Sequence, residues 1–422
     1  MEERTARLGE LQRKLAAVRR RLRQREAELG QAREELESRA RELELSTEQL
    51  EKAETRLASE TSAVAQLRKQ RAADRRSASA IRKQLDAAER RLTSVDPTVF
   101  YVVGHAKSGT TWLMRLLDAH PEIMCKGEGR IFGRSYKRPD VKRMDAPTFQ
   151  PSSLYRALID ADYLNYWIKR SVWTRDGDVD EHVRGLTRAA IRHFLGSRAA
   201  SIGKRIVGDK TPFLSKEIIA EIAAIDPESK VLHIIRDGRD VAVSGIHHLW
   251  SREIDLGGGR DIRPEEERKR DLYRSDPRAA IESGEGLFTE RRIREMAIDW
   301  RQQVAAAREQ ARELLGEERY LEVRYEQLLE HPIAEFRRLA TFLGADGRAA
   351  VAQRCVSAAA FKRWTKGRRR GQEDSTSLLR KGVVGDWKRV FTAEDRRIYD
   401  KHAGDFLVEL GYERDRDWIE LS

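Results

Sequence analysis

The stretch that decides the fold is Val99–Trp112, which reads VFYVVGHAKSGTTW. Its first five residues are apolar, β-branched or aromatic, which is typical of a buried strand in a parallel sheet. Glycines, a lysine and hydroxyl side chains follow at Gly104, Lys107, Ser108, Gly109, Thr110 and Thr111. Apolar residues then recur at helical spacing. The stretch predicts a strand, a tight turn and a helix N-terminus, whose free amides and positive dipole bind anions such as phosphate.

The order of residues in this loop differs from that of the Walker A loop, in which lysine directly follows the second glycine. Here Lys107 lies two residues before Gly109, in the string K-S-G-T-T-W that ends at Trp112. This string resembles the phosphate loop of the sulfotransferase superfamily. The resemblance implies that the loop binds the 5′-phosphate of 3′-phosphoadenosine-5′-phosphosulfate (PAPS) as co-substrate. It also implies that Lys107 neutralises the charge that grows on the leaving phosphate oxygen.

Composition sets the broad class of the protein. The 422 residues carry 82 Lys and Arg against 70 Asp and Glu, a net charge of +12 that suits anionic ligands. Two cysteines, Cys125 and Cys355, cannot form a disulfide framework, which favours a reducing compartment. The charged N-terminus lacks a signal-peptide core, and no apolar run is long enough for a transmembrane segment. We therefore expect a soluble, cytoplasmic protein.

Residues 1–95 are predicted to form a separate helical region. Leucine recurs at every seventh position, at Leu8, Leu15, Leu22, Leu29, Leu36, Leu43, Leu50 and Leu57. A repeat of this length predicts a coiled coil that joins copies of the chain into a homo-oligomer, because one helix cannot bury such a stripe. With the leucines at position a of the heptad, polar residues such as Arg25 and Arg39 occupy several of the d positions. They leave the number and direction of the helices open. The alternative is one solvated helix folded back on its own domain.

Two carboxylates compete for the role of general base, and the sequence favours Asp209 slightly over Glu128. Glu128 lies in the segment LLDAHPEIMCKGEGRIF, which resembles tyrosylprotein sulfotransferases and implies that Glu128 is the base. Asp209 follows a strand candidate in Asp209-Lys210-Thr211-Pro212, which resembles the Glu-Lys-Thr/Ser stretch that carries the base in heparan-type sulfotransferases. The ordinary alternatives are a loop carboxylate paired with a nearby arginine for Glu128, and a helix cap or salt bridge for Asp209.

The 3′-phosphate site is predicted from two separated motifs. The strand candidate Lys230–Ile235 is followed by Arg236 and, eight residues later, by Ser244. The family resemblance implies that both bind the 3′-phosphate of PAPS, and the planar fork of arginine suits phosphate oxygens. Near the C-terminus, Arg380, Lys381 and Gly382 precede Gly-Asp-Trp-Lys, as in the signature of cytosolic sulfotransferases. The resemblance implies that these three residues close over the same phosphate.

The adenine site is predicted from three aromatic residues. Tyr325 begins a Tyr-Glu pair after the strand candidate Arg319–Val323, and the family resemblance implies that it hydrogen-bonds the adenine. Phe361 and Trp112 match the aromatics that sandwich this base in the family. Stacking on both faces would fix a purine without a charged partner.

Two segments without a clear strand pattern are predicted to shape the acceptor pocket. Residues 131–200 read as a helical insertion. Residues 251–289 are rich in glycine, proline and charge, and are expected to form either a lid or a disordered loop.

Together these features predict a doubly wound α/β domain over residues 96–422, with a mostly parallel, P-loop NTPase-like sheet, preceded by a long helical coiled coil. The expected activity is sulfuryl transfer from PAPS to a hydroxyl or amine, with a carbohydrate as one candidate acceptor. We expect no metal and no nucleic-acid partner. The alternatives are a P-loop kinase or other nucleotide-binding protein, and a non-catalytic coiled-coil adaptor. Arg236 disfavours a kinase, because it stands where Mg²⁺ chemistry needs an aspartate.

Overall fold

The computed structural model describes residues 2–92, 97–133, 153–211, 216–251, 263–365, 367–374, 377 and 380–420 of the chain. The chain divides into two compact units, Met1–Ala87 and Ala88–Ser422.

The first unit consists of helix α1, Glu2–Leu92, whose side chains are described from residue 2 to 79. The predicted long N-terminal helix is therefore confirmed. Ion pairs one turn apart, such as Lys14–Glu10 and Arg39–Glu35, stabilise such a helix by a few tenths of a kcal/mol each. The leucines of the heptad repeat are exposed to solvent in this single chain, for example Leu15 at 53% and Leu36 at 69%. The coiled coil that would cover them stays a prediction.

The second unit is built around a parallel five-stranded sheet. Its strands are β1 (Thr98–Val103), β2 (Ile123–Gly127), β3 (Ile206–Lys210), β4 (Lys230–Ile235) and β5 (Tyr320–Arg324). They lie in the order β2-β3-β1-β4-β5, and every neighbouring pair is parallel. The chain moves from β1 to one side of the sheet and later returns to the other, so the strand order reverses between β1 and β4. Ligands of open α/β sheets bind at this reversal point.

Helices cover both faces of the sheet. In chain order they are α2 (Thr110–Asp118), α3 (Leu154–Ile159), α4 (Asp162–Arg170), α5 (Val179–Ala200), α6 (Ile218–Ile225), α7 (Gly238–Ser251), α8 (Pro264–Ser275), α9 (Pro277–Glu282), α10 (Glu290–Leu314), α11 (Tyr325–Glu330), α12 (Pro332–Leu343), α13 (Ala349–Ala358), α14 (Phe361–Trp364), α15 (Trp387–Val390) and α16 (Ala393–Glu409). A 3₁₀ turn follows at Asp417–Glu420.

The central strand β1 shows how the two faces are packed. Tyr101 faces a core formed with α5, α6 and the end of α10, whereas Phe100 faces a core formed with α2, α12 and α13. Both rings are fully buried, and burial of one large apolar side chain stabilises the fold by about 1.5–3 kcal/mol. A third core joins α7, α8, α9, α10 and α16. The predicted doubly wound, parallel α/β architecture is confirmed.

The edge strand β2 was not predicted from the sequence, and its residues Ile123, Met124 and Cys125 are buried. The predicted lid or loop at 251–289 contains α8 and α9, and Tyr273 fixes α8 to the core with 1% exposure. Residues 252–262 of that segment lie outside the described residues. The proposed helical insertion is helical in α3, α4 and α5, while its residues 134–152 are also outside them.

Candidate active site

A cavity of about 310 Å³ lies at the carboxyl edge of the sheet. The end of each strand contributes one side chain to its wall: Lys107 after β1, Glu128 after β2, Lys210 in β3, Arg236 after β4 and Tyr325 after β5. Parallel strands place all their carboxyl ends on one edge, so residues far apart in sequence converge there. The topology therefore assembles the site.

The phosphate loop joins β1 to α2 through left-handed backbone. Lys107 has φ 73° and Gly109, which caps α2, has φ 99°. A Cβ atom at Gly109 would come within 2.6 Å of the Tyr325 ring, so both conformation and space require glycine. Lys107, Gly109, Thr110 and Thr111 line the cavity at the start of α2, where helix amides point outward.

Two buried polar atoms beside the loop have no hydrogen-bond partner in the part of the chain that the structure describes. One is Ser108 Oγ, whose residue is 1% exposed and lies behind the cavity wall; the other is Arg236 Nε. Buried polar groups are nearly always paired in folded proteins. Together with the cations of this wall, the two orphaned donors fit a phosphate-bearing ligand.

The predicted 3′-phosphate residues come together around Arg236. Arg236 Nη1 donates to the Lys107 carbonyl at 3.2 Å and Nη2 donates to the Val383 carbonyl at 3.0 Å, which fixes the guanidinium between the two motifs. Ser244, Arg380, Lys381 and Gly382 line the same cavity. The structure thus unites groups separated by more than a hundred residues.

Arg380 and Lys381 are held by acidic neighbours in this structure. Arg380 pairs with Glu373 and Asp386, and Lys381 Nζ lies 2.6 Å from Asp386 Oδ1. Burial alone would raise the pKa of Asp386, but the Arg380 and Lys381 cations outweigh burial and hold that pKa well below its ordinary value. Asp386, from the Gly-Asp-Trp signature, therefore keeps both cations side by side.

Asp240 fastens the C-terminal motif to helix α7. Its carboxylate accepts hydrogen bonds from the Gly385 amide at 2.8 Å and the Trp387 amide at 3.1 Å. Burial raises the pKa of Asp240, although Arg236 at 3.6 Å opposes that shift. The two halves of the predicted 3′-phosphate site are consequently held in register.

The three predicted adenine residues line one end of the cavity, with the Trp112 and Tyr325 rings edge to face at 5.6 Å. The slot between Trp112 and Phe361 contains the Arg370 guanidinium, whose carbon lies 4.8 Å and 5.6 Å from the two ring centres. Arg370 Nη1 also donates to the Gly382 carbonyl at 3.1 Å. The aromatic slot exists as predicted, but a cation of the chain itself lies in it.

Glu128 lines the cavity, and its carboxylate is paired with Lys210. Lys210 Nζ donates to Glu128 Oε1 at 2.5 Å, and the Glu128 amide donates to the Lys210 carbonyl at 2.9 Å. Glu128 has a left-handed backbone, with φ 60°. This conformation is costly for a residue other than glycine and persists where the surroundings hold it, often at functional sites.

Asp209 lies behind the loop of residues 128–130 and is not among the residues that line this cavity. The residue is 5% exposed; Oδ1 accepts from the Gly129 amide at 2.9 Å and Oδ2 from the Thr211 hydroxyl at 2.6 Å. Burial raises the pKa of Asp209 despite these bonds. The carboxylate therefore supports the 128–130 loop from behind, which is neither of the ordinary roles expected from the sequence.

Eight cavity residues were missed by the sequence reasoning, and five of them carry a charged, imidazole or aromatic side chain: Arg115, Lys210, His248, Trp364 and Arg370. Lys210 could have been found, because it directly follows Asp209 and therefore points to the opposite face of β3. Arg115 was detectable as one helical turn beyond Trp112. Arg370 belongs to an Arg-Arg-Arg run that gave no signal of which side chain turns inward.

Two further features concern the described residues alone. Among them, no three His, Cys, Asp or Glu side chains lie close enough together to hold a metal ion. No helix in the same ranges has the length and apolar character needed to cross a membrane.

Comparisons with known proteins match this chain to sulfotransferases. Protein-tyrosine sulfotransferase 2 from Gallus gallus is 26% identical over 266 residues, which cover 61% of this chain and 53% of that protein. Protein-tyrosine sulfotransferase A from Caenorhabditis elegans is 25% identical over 244 residues, or 58% of this chain and 49% of that protein. This chain thus spans about half the length of the curated relatives it matches. The mouse sulfotransferase SULT7A1 complexed with PAP aligns with 75% of this chain and 86% of its own, at 14% identity and a TM-score of 0.41.

The relatives are named for protein tyrosine, and neither name refers to a carbohydrate acceptor. They also correct one expectation. The expected cytoplasmic location is wrong as an inference, because the relatives are named protein-tyrosine sulfotransferases and give that location no support. Few cysteines and a charged N-terminus do not assign a compartment. The sulfotransferase domain model matches residues 97–411, which is 315 of the 422 residues, and the chain therefore belongs to the sulfotransferase domain family.

Proposed function

We propose that this chain transfers a sulfuryl group from PAPS to a phenolic hydroxyl, and that the acceptor is a tyrosine side chain of a polypeptide. One observation carries the proposal: Lys107 and Glu128, both with left-handed backbone, line the same cavity as the cations Arg236, Arg380 and Lys381. The names of the relatives support the choice of tyrosine.

The phosphates of the donor would be bound by the chain's own donors. Lys107 and the first amides of α2 suit the 5′-phosphate, and the orphaned Ser108 Oγ gains a partner if it turns toward it. Arg236, Ser244 and the Arg380–Lys381 pair suit the 3′-phosphate. When bound, PAPS supplies the activated sulfuryl group.

In the transfer, a bond forms between the acceptor oxygen and sulfur while the bond from sulfur to the 5′-phosphate oxygen breaks. Glu128 accepts the phenolic proton, and Lys107 neutralises the charge left on the phosphate. Lys210 fixes the Glu128 carboxylate toward the cavity through its 2.5 Å contact. A phenol, with an ordinary pKa of about 10, gives up its proton more readily than an alkyl hydroxyl.

A kinase remains the runner-up on the loop geometry alone. The end of β4 argues against it, because Arg236 stands there and the next residue, Asp237, is occupied by Arg239 at 2.7 Å. The family match also favours sulfuryl over phosphoryl transfer.

The test uses the full chain with sulfur-labelled PAPS and a tyrosine peptide, matched with the same peptide carrying phenylalanine. Label in the tyrosine peptide and not in its counterpart supports the proposal. Transfer to a sugar or small phenol alone would reject the polypeptide acceptor. Failure to bind 3′-phosphoadenosine-5′-phosphate (PAP) by calorimetry would reject the activity itself.

A further inference from the structure

We propose that α1 pairs with α1 of a second copy of this chain in the antiparallel direction, over residues 4–43, about a two-fold axis between residues 23 and 24. This inference concerns the first unit alone and does not depend on the proposed activity.

The surface that forms the pair is the apolar stripe of the first half of α1. Its members are Leu8, Leu11, Leu15, Val18, Leu22, Leu29, Leu36 and Leu43, each between 53% and 69% exposed. They recur at the a and d positions of a heptad, the spacing that packs side chains of one helix between those of another. Beyond residue 43 the stripe is sparser, because Ser46, Ala53 and Glu60 alternate with Leu50 and Leu57.

Charges beside the stripe select the direction. The residue before each leucine at position a is basic in the first three heptads and acidic in the next three: Arg7, Lys14, Arg21, Glu28, Glu35 and Glu42. In an antiparallel pair these positions face the equivalent positions of the other helix. One register satisfies all of them, since it places Arg7 near Glu42, Lys14 near Glu35 and Arg21 near Glu28 of the second copy.

The opposite flank agrees with this register. Arg19 comes to lie near Glu26 of the second copy, again an opposite-charge pair that the two-fold axis repeats. The core layers are then Leu36 with Leu11, Leu29 with Val18 and Leu15 with Ala32. The charge of the first flank reverses near residue 24, and the Arg19–Glu26 pair of the second flank falls in the same register, so the apolar stripes of the two helices face each other over about 40 residues.

A parallel pair fits the same sequence poorly. Arg25 and Arg39 stand at d positions, so in a parallel, in-register dimer each would face its own copy in the core. Lys14 would also lie beside Arg19 of the second helix. In the antiparallel register Arg25 packs beside Leu22 and Arg39 beside Leu8, where the long stem of arginine covers apolar surface and its charge reaches water.

The experiment places single cysteines in the full chain. Leu11→Cys and Leu36→Cys are expressed together on chains with tags of different size, and each is also expressed alone, followed by mild oxidation. We expect a mixed disulfide dimer from the pair and no self-linked dimer from either variant. Identical cysteines would lie roughly 37 Å apart, which is 25 residues at 1.5 Å each, far beyond disulfide reach.

Self-linking of either variant would overturn the proposal in favour of a parallel pair. Absence of every cross-link, or a monomer by light scattering at micromolar concentration, would overturn it as well. The unmodified chain is the background control, since Cys125 and Cys355 are buried. Circular dichroism checks the helix content, and Leu15→Cys with Ala32→Cys repeats the test at another layer should the first variants unfold.

Discussion

The guanidinium carbon of Arg370 lies 4.8 Å from the centre of the Trp112 ring, in the slot where the adenine of the donor was predicted to stack. Phe361 lies on the other side, with its ring centre 5.6 Å from the same carbon, and Tyr325, the predicted adenine partner, lines the same cavity. A planar cation and an adenine ring make the same kind of contact with an aromatic face. Nucleotide binding at this slot therefore requires Arg370 to leave it.

Arg370→Ala should consequently bind PAP more tightly than the unmodified chain. A cation–π contact at an accessible site contributes about 0.5–1 kcal/mol, so its removal should lower the dissociation constant about 2- to 5-fold. Calorimetry measures the change. Arg369→Ala is the matched control, because the neighbouring Arg369 does not line the cavity. Weaker binding by Arg370→Ala would show that the guanidinium contacts the nucleotide and does not compete with it.

Selectivity for the 3′-phosphate should depend on Lys381. We expect PAP to bind the unmodified chain at least tenfold more tightly than ADP, and Lys381→Ala to narrow that gap. Loss of a charge-assisted hydrogen bond costs about 1.5–3 kcal/mol, or roughly 10- to 150-fold in affinity. ADP affinity should stay constant in the variant. Equal affinities of the unmodified chain for PAP and ADP would contradict the assignment of this subsite.

The two carboxylates can be separated by amide substitution. Glu128→Gln should lower kcat by about 10²–10⁴-fold, because the proton acceptor is lost. Asp209→Asn should keep most of the activity, since the amide oxygen can still accept from the Gly129 amide. Initial rates at saturating donor give the comparison. A larger loss in Asp209→Asn would make Asp209 the base and leave Glu128 as a loop residue.

Lys107→Ala should lower the rate of sulfuryl transfer more than tenfold and leave the fold intact. The Lys107 side chain is half-buried at the cavity wall and belongs to none of the hydrophobic cores, so its removal leaves those cores intact. The measurement is single-turnover transfer, with thermal unfolding as the check on stability. Near-normal rates would mean that Lys107 does not act on the leaving oxygen.

Asp386 should govern acid stability. Its folded-state pKa is lowered, so its contribution is present above the ordinary carboxyl pKa of about 3.9 and is lost as the pH falls toward the folded-state value. Asp386→Asn should lower the free energy of unfolding by about 3–5 kcal/mol at pH 7, because Arg380 and Lys381 lose a buried partner. The difference in free energy of unfolding between Asp386→Asn and the unmodified chain should become smaller below roughly pH 4.

Urea unfolding at several pH values measures this dependence. Asp405→Asn is the control, because Asp405 is 61% exposed in its pair with Arg301 and such pairs contribute about 0–1 kcal/mol. If the difference in free energy of unfolding between Asp386→Asn and the unmodified chain stays constant across the pH range, the ionisation of Asp386 is not the cause of the stability difference.

The sequence by itself determined the elements whose signals are local. The apolar run before Gly104 and the glycines around Lys107 require a strand, a turn and a helix start, whatever surrounds them. Leucine at every seventh position makes α1 one helix in the same way. The motifs that carry Arg236 and Lys381 could be assigned to one phosphate because their residue types and spacing match the family.

Only the tertiary structure decided which side chains share the cavity. Asp209 and Lys210 are adjacent on β3, and adjacent strand residues point to opposite faces, so Lys210 reaches Glu128 while Asp209 turns behind the loop. Arg370 packs between the aromatic rings, and the run of three arginines does not indicate which of the three side chains does so. Local sequence sets backbone conformation, whereas contact between residues distant in the chain is set by how strands and loops meet at the sheet edge.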